Sequence, residues 1–447
     1  MTPPALQTGL PFPSSAASPP ASPARHADPL RTRLLQIAGP GLLVSVGYMD
    51  PGNWATDIEA GSRYGYALLS VVLASSVAAM LLQVLSLRLG LASGRDLAQA
   101  CREAYPAPVA GLLWILGELA IAACDLAELL GSALALHLLL HVSIMTGLVA
   151  TALDTFVVLW LGGRGHRRIE AIVLGLVATI VACYVVEMVL AQPDWGAVAR
   201  GFVPDTALAA DPRQVFVAIG IVGATVMPHN LYLHSAMVLP RREGQGAQGL
   251  RRVVRLSTIE TLASLTMALG VNAAILVLAA SAFHASGHAE VTDIAEAWRM
   301  LDPLLGGTLA SMLFAVALLA AGQAATFTGT LAGQVLLDGF LGLRIPAWQR
   351  RLATRLIAFV PAFIGLQCWG PDSIGRLLVA SQVVLSLQLP FAMWPLLRLT
   401  RRPDLMGEFR TTRAWSVAAW AVFCVVGGAN LWLVLSAVRG AGLLPQD

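Results

Sequence analysis

The chain is 447 residues long, carries a formal net charge of +3, and is 57% hydrophobic but only 12% charged. Soluble domains carry about a quarter charged residues, so this composition excludes an ordinary soluble domain and indicates a membrane protein with several spans. All 29 basic residues are arginine. The lysine of an ATP-binding Walker A loop is therefore missing, and any uphill transport must draw on an ion gradient.

Residues 1–30 differ from the rest of the chain. They are rich in proline, serine and alanine and contain no apolar run of the kind found in a signal peptide. We predict that they form a disordered cytoplasmic tail, followed by a transmembrane domain at 31–447.

Apolar stretches of about twenty residues recur along the remaining chain, each long enough to cross about 30 Å of hydrocarbon as a helix. They predict an all-α membrane protein with about eleven transmembrane helices. The third and eighth stretches are long enough to leave this count open. The approximate bounds are 37–60, 67–91, 108–140, 143–163, 170–190, 214–239, 256–283, 305–338, 353–370, 374–397 and 414–437.

The placement of arginine predicts the orientation in the membrane. If the N-terminus is cytoplasmic, all but a few of the 29 arginines fall in the tail or in cytoplasmic connections. One missed or extra helix would scramble the later half of this alternation. The positive-inside rule therefore supports eleven spans, with the C-terminus outside. The arginines on the outer side are Arg63, Arg200, Arg213, Arg299, Arg376 and Arg439.

Two proline motifs occupy corresponding positions in the first and sixth spans, GYMDPGN at 47–53 and GATVMPHN at 223–230. Proline lacks an N–H donor and its ring clashes with the preceding turn, so each helix should break near the middle of the bilayer. The breaks should free the carbonyls of Gly47 and Ala224. The alternative is that proline merely kinks two helices, which is common in membranes. An ionisable Asp50 in mid-membrane favours a binding site.

Two broken helices five spans apart are typical of an inverted-repeat transporter with a binding site at the midplane. We predict a first repeat at about 37–190, a second at about 214–397, and one extra helix at about 414–437.

The groups collected at the two breaks suit a metal ion. Asp50 and Asn53 provide oxygen atoms, and carboxylate and carbonyl oxygens suit any divalent cation. The thioether of Met227 is softer and favours transition metals over Mg²⁺ and Ca²⁺. Further polar residues that could line the same cavity are Gln382, Asn272 and Gln323.

The third span carries Glu118, Asp125 and Glu128, whose spacing places all three on one side of a helix. Acids facing lipid are untenable, so this face should look into the protein. It could be a structural ion-pair network, a proton path, or both, since histidines and carboxylates are the usual relay groups. The expected partners are Arg350, Arg351, His229 and His234.

Four segments resemble the Nramp family of divalent metal transporters: GYMDPGNWATDIEAGSRYGY, ATVMPHNLYLHSA, AAGQAATFTGTLAGQ and GFLGLRIPAWQRRLATR. The resemblance runs from about residue 35 to the C-terminus. It implies a LeuT-type fold of five plus five helices with an eleventh appended. It also implies proton-coupled import of Mn²⁺ and Fe²⁺, with Cd²⁺, Co²⁺ and sometimes Zn²⁺ accepted.

Carried over residue by residue, the resemblance implies a metal site and a proton pathway. The presence of Met227 implies the transition-metal branch rather than a related branch that moves Mg²⁺ or Al³⁺. Asp50 could bind either a metal or a proton. The implied metal ligands are Asp50, Asn53, Met227, the carbonyls of Gly47 and Ala224, and in some conformations Gln382. The implied proton-pathway residues are Asp125, Glu128, His229, Arg350 and Arg351.

From these features we expect a multi-pass protein of the bacterial inner membrane whose partners are metal ions, protons and lipid. We expect no enzymatic activity, no cofactor, and no nucleic-acid or nucleotide partner; a monomer would suffice, and the oligomeric state stays open. Two alternatives remain. A LeuT-type symporter for an amino acid would use a helix N-terminus for the substrate carboxylate, which Asp50 would repel. A passive metal channel would use the same ligands without coupling.

Overall fold

The computed structural model describes residues 39–162, 166–204, 211–291, 293–305, 308–343, 345–370 and 373–438. From Gly39 onward these residues belong to one compact unit. The predicted tail at 1–30 lies outside the described residues. The domain boundary at 31 and the limits of the two repeats stay predictions.

All the regular secondary structure of the described residues is helical, and none of it is β-strand. Two short helices, α1 and α2, form the first predicted span, and α9 and α10 form the sixth. In chain order the helices are α1 (Pro40–Val46), α2 (Pro51–Tyr64), α3 (Leu69–Ser93), α4 (Leu97–Ala104), α5 (Ala107–Leu140), α6 (Ile144–Gly162), α7 (His166–Ala191), α8 (Trp195–Gly201), α9 (Pro212–Thr225), α10 (Pro228–Met237), α11 (Ala247–Ala282), α12 (Ile294–Leu305), α13 (Thr308–Leu341), α14 (Ala347–Trp369), α15 (Ile374–Leu399), α16 (Pro403–Met406) and α17 (Arg413–Val438).

In the described part of the chain, 9 helical stretches are long and apolar enough to cross a membrane, and Pro40–Met49 and Ile144–Asp154 are shorter apolar helices. Together they follow the predicted spans in order. The third and eighth stretches, whose length left the count open, are each one continuous helix of 34 residues. The predicted all-α membrane fold with broken first and sixth helices is confirmed.

The broken helices lie inside the bundle, and the long helices surround them. α1 and α2 pack against α11, while α9 and α10 pack against α15, α3 and α13. The indole of Trp54 in α2 meets the rings of Tyr184 in α7 and Phe314 in α13 edge-to-face, with centroids 5.2 and 5.1 Å away. Such aromatic contacts and the bulk of the ring hold α2 in place from two sides. The segments that carry the site are therefore shielded from lipid.

Candidate metal-binding site

The first break is built around Asp50. Its backbone is extended, with φ −71° and ψ 165°, and α2 begins at the next residue, Pro51. The carboxylate caps α2, since Asp50 Oδ1 accepts from the backbone N–H of Asn53 at 2.9 Å and from Asn53 Nδ2 at 2.7 Å. A negative charge at a helix N-terminus is favourable because unpaired N–H groups point towards it. The local sequence therefore fixes one carboxylate at the end of a half-helix.

The second break is also made at a proline, but no charged residue stands there. α9 ends at Thr225, Val226 leaves the helical region with φ −103° and ψ 77°, and α10 begins at Pro228. In a continuous helix the N–H of residue 228 would donate to the carbonyl of Ala224, and proline has none. That carbonyl instead accepts from Asn53 Nδ2 at 3.2 Å. The two breaks therefore meet directly, across 171 positions of sequence.

Met227 caps the second break opposite the first. Asn230 Nδ2 donates to the sulfur of Met227 at 3.6 Å. The Asn230 amide also fills the space where a side chain at Gly47 would stand. The thioether thus lies near the end of α1, because the amide that contacts it also stands beside Gly47.

Gln382 in α15 completes the ligand set predicted from sequence. Its carboxamide occupies the space beside Gly52, where a Cβ would overlap it. Its Nε2 donates to the Ser381 hydroxyl at 2.9 Å, while its Oε1 is buried and has no hydrogen-bond partner among the described residues. Asp50 Oδ2 is buried and unpaired in the same way. Unpaired buried acceptors are costly, and a cation is the ligand that would satisfy both.

The site is closed to solvent on every side. Asp50, Met227, Ala224 and Gln382 are 0% exposed, and Asn53 is 1% exposed. The ligands are therefore occluded from water in this structure. Among the described residues there is no cluster of three or more His, Cys, Asp or Glu side chains that could hold a metal. The proposed set has only one carboxylate, so its remaining donors are amides, carbonyls and a thioether.

Asn272 in α11 lies at the site, as the sequence had suggested. Its Nδ2 donates to the Tyr48 carbonyl at 2.9 Å and approaches Asn53 Oδ1 at 3.4 Å. Gln323, the other suggested cavity residue, instead donates from Nε2 to Asp154 Oδ2 at 2.6 Å. Asn272 therefore holds the Asn53 amide in its present orientation.

The acidic face of α5 looks inward and pairs with α14, as predicted. Arg351 donates to Asp125 at 2.5 Å and to Glu128 at 3.0 Å, and all three side chains are buried. Arg350 Nη2 contacts both carboxylate oxygens of the half-buried Glu118, at 2.8 and 2.9 Å. Charge-assisted pairs of this kind are the usual way to hold ionised groups in a membrane.

Arg355 belongs to the same network, although the sequence reasoning missed it. Its Nη2 lies 3.4 Å from Glu128 Oε2 and 2.8 Å from the Thr326 hydroxyl. It stands four residues after Arg351, and therefore on the same face of α14. That spacing was the available signal. The network adjoins the metal site, because a side chain at Gly131, one turn beyond Glu128, would overlap Pro51.

The two histidines occupy different surroundings. His229 is 0% exposed, and neither ring nitrogen has a hydrogen-bond partner in the described part of the chain. The expectation that His234 pairs with the acids of α5 is wrong. Its Nδ1 meets Gln83 Oε1 at 2.8 Å, and its Nε2 meets the Thr261 hydroxyl at 3.4 Å. Residues five apart on a helix point in different directions, so the two rings cannot share one face.

His234 instead ends a second polar chain that leads to the first break. Gln83 Nε2 donates to the Tyr48 hydroxyl at 2.7 Å, and Gln83 Oε1 meets His234. Two further buried carboxylates lie on α2 and α7, and the first of them was not singled out from the sequence. Asp57 and Glu187 both carry buried oxygens without a hydrogen-bond partner among the described residues. Asp57 follows Asn53 by four positions, which was a usable signal in the same motif.

Comparison with known proteins also indicates a divalent metal transporter family. The family profile described as natural resistance-associated macrophage protein-like matches residues 41–436. The chain is 58% identical over 412 residues to the divalent metal cation transporter MntH of Ralstonia nicotianae, covering 92% of this chain and 93% of that protein.

Solved structures agree with the sequence relatives. The manganese transporter of Eremococcus coleocola, in complex with an aromatic bis-isothiourea compound, is 38% identical with a TM-score of 0.84, covering 95% of this chain and 90% of that one. MhsT in complex with L-phenylalanine is 15% identical with a TM-score of 0.60, covering 89% of this chain and 98% of that one. This second likeness concerns the fold alone, and it agrees with the LeuT-type arrangement. Because the family profile and the high-identity relative both span most of its length, this chain belongs to the Nramp family.

Proposed function

We propose that this chain is a transporter, and not an enzyme, that imports divalent transition metals by alternating access, coupled to protons. Its substrates would be Mn²⁺ and Fe²⁺, with Cd²⁺ and Co²⁺ also accepted. The observation that carries the proposal is the junction of two broken helices, where buried acceptors of Asp50 and Gln382 have no hydrogen-bond partner among the described residues. The names of the Ralstonia and Eremococcus relatives support the metal class.

Metal binding would use groups that are already gathered. The Asn53 amide now presents Nδ2 to Asp50 Oδ1 and to the Ala224 carbonyl. Turning this amide over exchanges Nδ2 for Oδ1, so that an acceptor stands where the donor stands now. A cation could then replace the amide hydrogens as the group that neutralises Asp50. The Gly47 carbonyl, freed because Pro51 has no N–H, would be a further ligand.

Met227 would set the choice of metal. The other proposed ligands are hard oxygens, and oxygens alone do not reject Ca²⁺ or Mg²⁺. A thioether interacts weakly with those ions and better with Mn²⁺, Fe²⁺ and Cd²⁺. The Asn230 amide, 3.6 Å from the sulfur, orients the thioether within the junction.

Protons would be carried by Asp50 and by the network of α5 and α14. Glu128 lies one turn from the residue that touches Pro51, so a proton leaving Asp50 has titratable groups close at hand in His229, Asp125 and Glu128. Arg350 and Arg351 would hold the carboxylates and compensate their charge. His234, Gln83 and Tyr48 offer a second route towards the same break.

The occluded site would open alternately to the two sides of the bacterial inner membrane. With the N-terminus in the cytoplasm, α1 and α10 would face inward and α2 and α9 outward. All the proposed ligands come from one chain, so a monomer is sufficient.

The test is uptake into proteoliposomes of a panel of divalent metals at two pH values, with the lumenal pH recorded. Asp50→Ala should abolish uptake of every metal. Glu59→Gln is the matched control, because Glu59 lies on α2, the helix that Asp50 caps, and pairs with Arg63 at 3.6 Å. Normal Mn²⁺ uptake by Asp50→Ala would show that this junction is not the metal-binding site. Metal uptake by the wild type without a change in lumenal pH would favour the passive channel instead.

A further inference from the structure

A second polar cleft lies outside the metal site, where α15 ends and α17 begins. It has a volume of about 320 Å³ and is lined by Arg401, Arg410, Thr411, Thr412 and Arg413. Neither the transport cycle nor the ligand set uses any of these residues. Three guanidinium groups around one cleft indicate an anionic ligand.

Acids of the described residues neutralise the neighbours of this cleft but not its own arginines. Nearby, Arg402 pairs with Asp404 at 2.5 Å, and Arg251 pairs with Glu408. By contrast, Arg401, Arg410 and Arg413 form no ion pair with any acid in the described part of the chain. Like charges held together without a counter-charge repel one another, so a bound anion would stabilise this arrangement.

The backbone and one hydroxyl point to the same ligand. α17 is a helix of 26 residues with no acid in its first turn, so its unpaired N–H groups favour an anion. Thr411 lies just before it and is held by a bond from its N–H to the Thr400 carbonyl at 3.1 Å. Thr411 is only 7% exposed, and its Oγ1 has no hydrogen-bond partner among the described residues. This buried hydroxyl lines the cleft, and an acceptor atom of a ligand would satisfy its unused donor.

The cleft also lies at the edge of the lipid-facing surface. α17 continues from it into exposed apolar residues, with Val417 70% exposed. Two tryptophans mark the level of the interface, since Arg88 lies over the Trp415 ring at 6.0 Å and Arg398 over the Trp394 ring at 5.6 Å. Tryptophan and arginine are the residues that anchor helices at the headgroup level. An acyl chain attached to a ligand in the cleft would have an apolar surface to lie on.

We propose that this cleft binds the phosphodiester headgroup of an anionic phospholipid. Its oxygens would accept from the guanidiniums of Arg410 and Arg413, from the Thr411 hydroxyl and from the first N–H groups of α17. Basic pockets between transmembrane helices on the cytoplasmic side bind the headgroups of anionic lipids, and the positive-inside pattern predicts that this end of α15 is cytoplasmic. The lipid would tie the end of α15, the helix that carries Gln382, to the start of α17. The proposal rests on the cleft alone and stands whatever the transported ion is.

The experiment follows the thermal unfolding of the full chain in neutral detergent while short-chain phosphatidylglycerol is added. Parallel titrations use short-chain phosphatidylcholine and inorganic phosphate. The variants are Arg410→Gln with Arg413→Gln, and separately Thr411→Val, which removes one hydroxyl at constant shape. The matched control is Arg252→Gln with Arg255→Gln, which removes the same charge from exposed residues of α11.

We expect phosphatidylglycerol to raise the unfolding temperature of the wild type and of the control pair at the same half-saturating concentration. Each arginine removed from the cleft should weaken binding about fivefold, so the double variant should need about twenty- to thirtyfold more lipid. Thr411→Val should also need more. If the wild type and all the variants have the same half-saturating concentration of phosphatidylglycerol, the cleft is not the lipid-binding site. An equal response to phosphatidylcholine, or to inorganic phosphate alone, would overturn the anionic lipid as its occupant.

Discussion

Gly223 in α9 controls how closely the sixth span approaches α15, and Gly223→Ala should slow transport. A Cβ built on Gly223 would overlap the Gln382 carbonyl oxygen, and it would lie 2.8 Å from both the nitrogen and the Cβ of Ser386. Two of these neighbours are backbone atoms, which cannot turn aside as a flexible side chain can. The added methyl group would therefore push α9 away from α15 at the level of the site.

The cost of this clash can be compared with the energy that separates transport states. Overpacking a close contact costs about 1–3 kcal/mol. In the alternating access proposed above, separation of α9 from α15 would open the outer path, so the cost would fall mainly on the occluded arrangement seen here. A bias of about 1–3 kcal/mol lowers the population of that state by about 5–150-fold. We therefore expect Mn²⁺ uptake at least about fivefold slower, with the protein still folded.

The assay is initial-rate Mn²⁺ uptake into proteoliposomes, with the amount of reconstituted protein measured. Gly220→Ala is the matched control, because it lies one turn earlier in α9 and its Cβ would meet only Thr56 Cγ2 at 3.2 Å and Val379 Cγ1 at 3.9 Å. Both substitutions bring the same gain in helix propensity, so this term cancels. If the two variants transport at the wild-type rate, close packing of α9 on α15 does not limit the cycle.

Three further predictions address the metal, the proton and the ion-pair network. Met227→Ala should still carry Mn²⁺ but lose Cd²⁺ uptake, and millimolar Ca²⁺ should compete with its Mn²⁺ uptake. The selectivity for Mn²⁺ over Ca²⁺ should fall about tenfold, or about 1.4 kcal/mol. If Ca²⁺ inhibits wild type and variant equally and Cd²⁺ uptake is unchanged, Met227 is a packing residue. Asp125→Asn should keep metal binding but weaken its dependence on pH, as measured by metal titration at two pH values. If the variant instead loses metal affinity while proton movement is unchanged, Asp125 serves the metal and not the proton. Arg351→Met removes the guanidinium that contacts both buried carboxylates, Asp125 and Glu128, so it should destabilise the protein by about 3–5 kcal/mol, measured as a lower unfolding temperature. An unchanged unfolding temperature would mean that the carboxylates are neutral in the folded protein.

The breaks and the spans were predictable because their causes are local. A proline at 51 or 228 withholds the donor for the carbonyl four residues earlier, wherever the helix lies in the fold. Hydropathy and the alternation of arginine depend only on short stretches of chain, so the order of the helices followed from the sequence. The acids of α5 were placed on an inward face by helical periodicity together with the cost of charge in lipid.

Contacts between residues on different helices could be found only in the tertiary structure. The bond from Asn53 to the Ala224 carbonyl joins residues 171 positions apart, and no local pattern states that these two groups meet. His234 turned towards Gln83 and Thr261 because its angle on α10, set by how that half-helix packs, decides its neighbours. Occlusion is likewise a property of packing, since Gln382 closes the site only when α15 lies against Gly52 and Gly223. The groups available at each helix break follow from the chain alone, because backbone chemistry is local. Which of these groups share one buried space depends on how separate helices fit together, and only the folded bundle shows that.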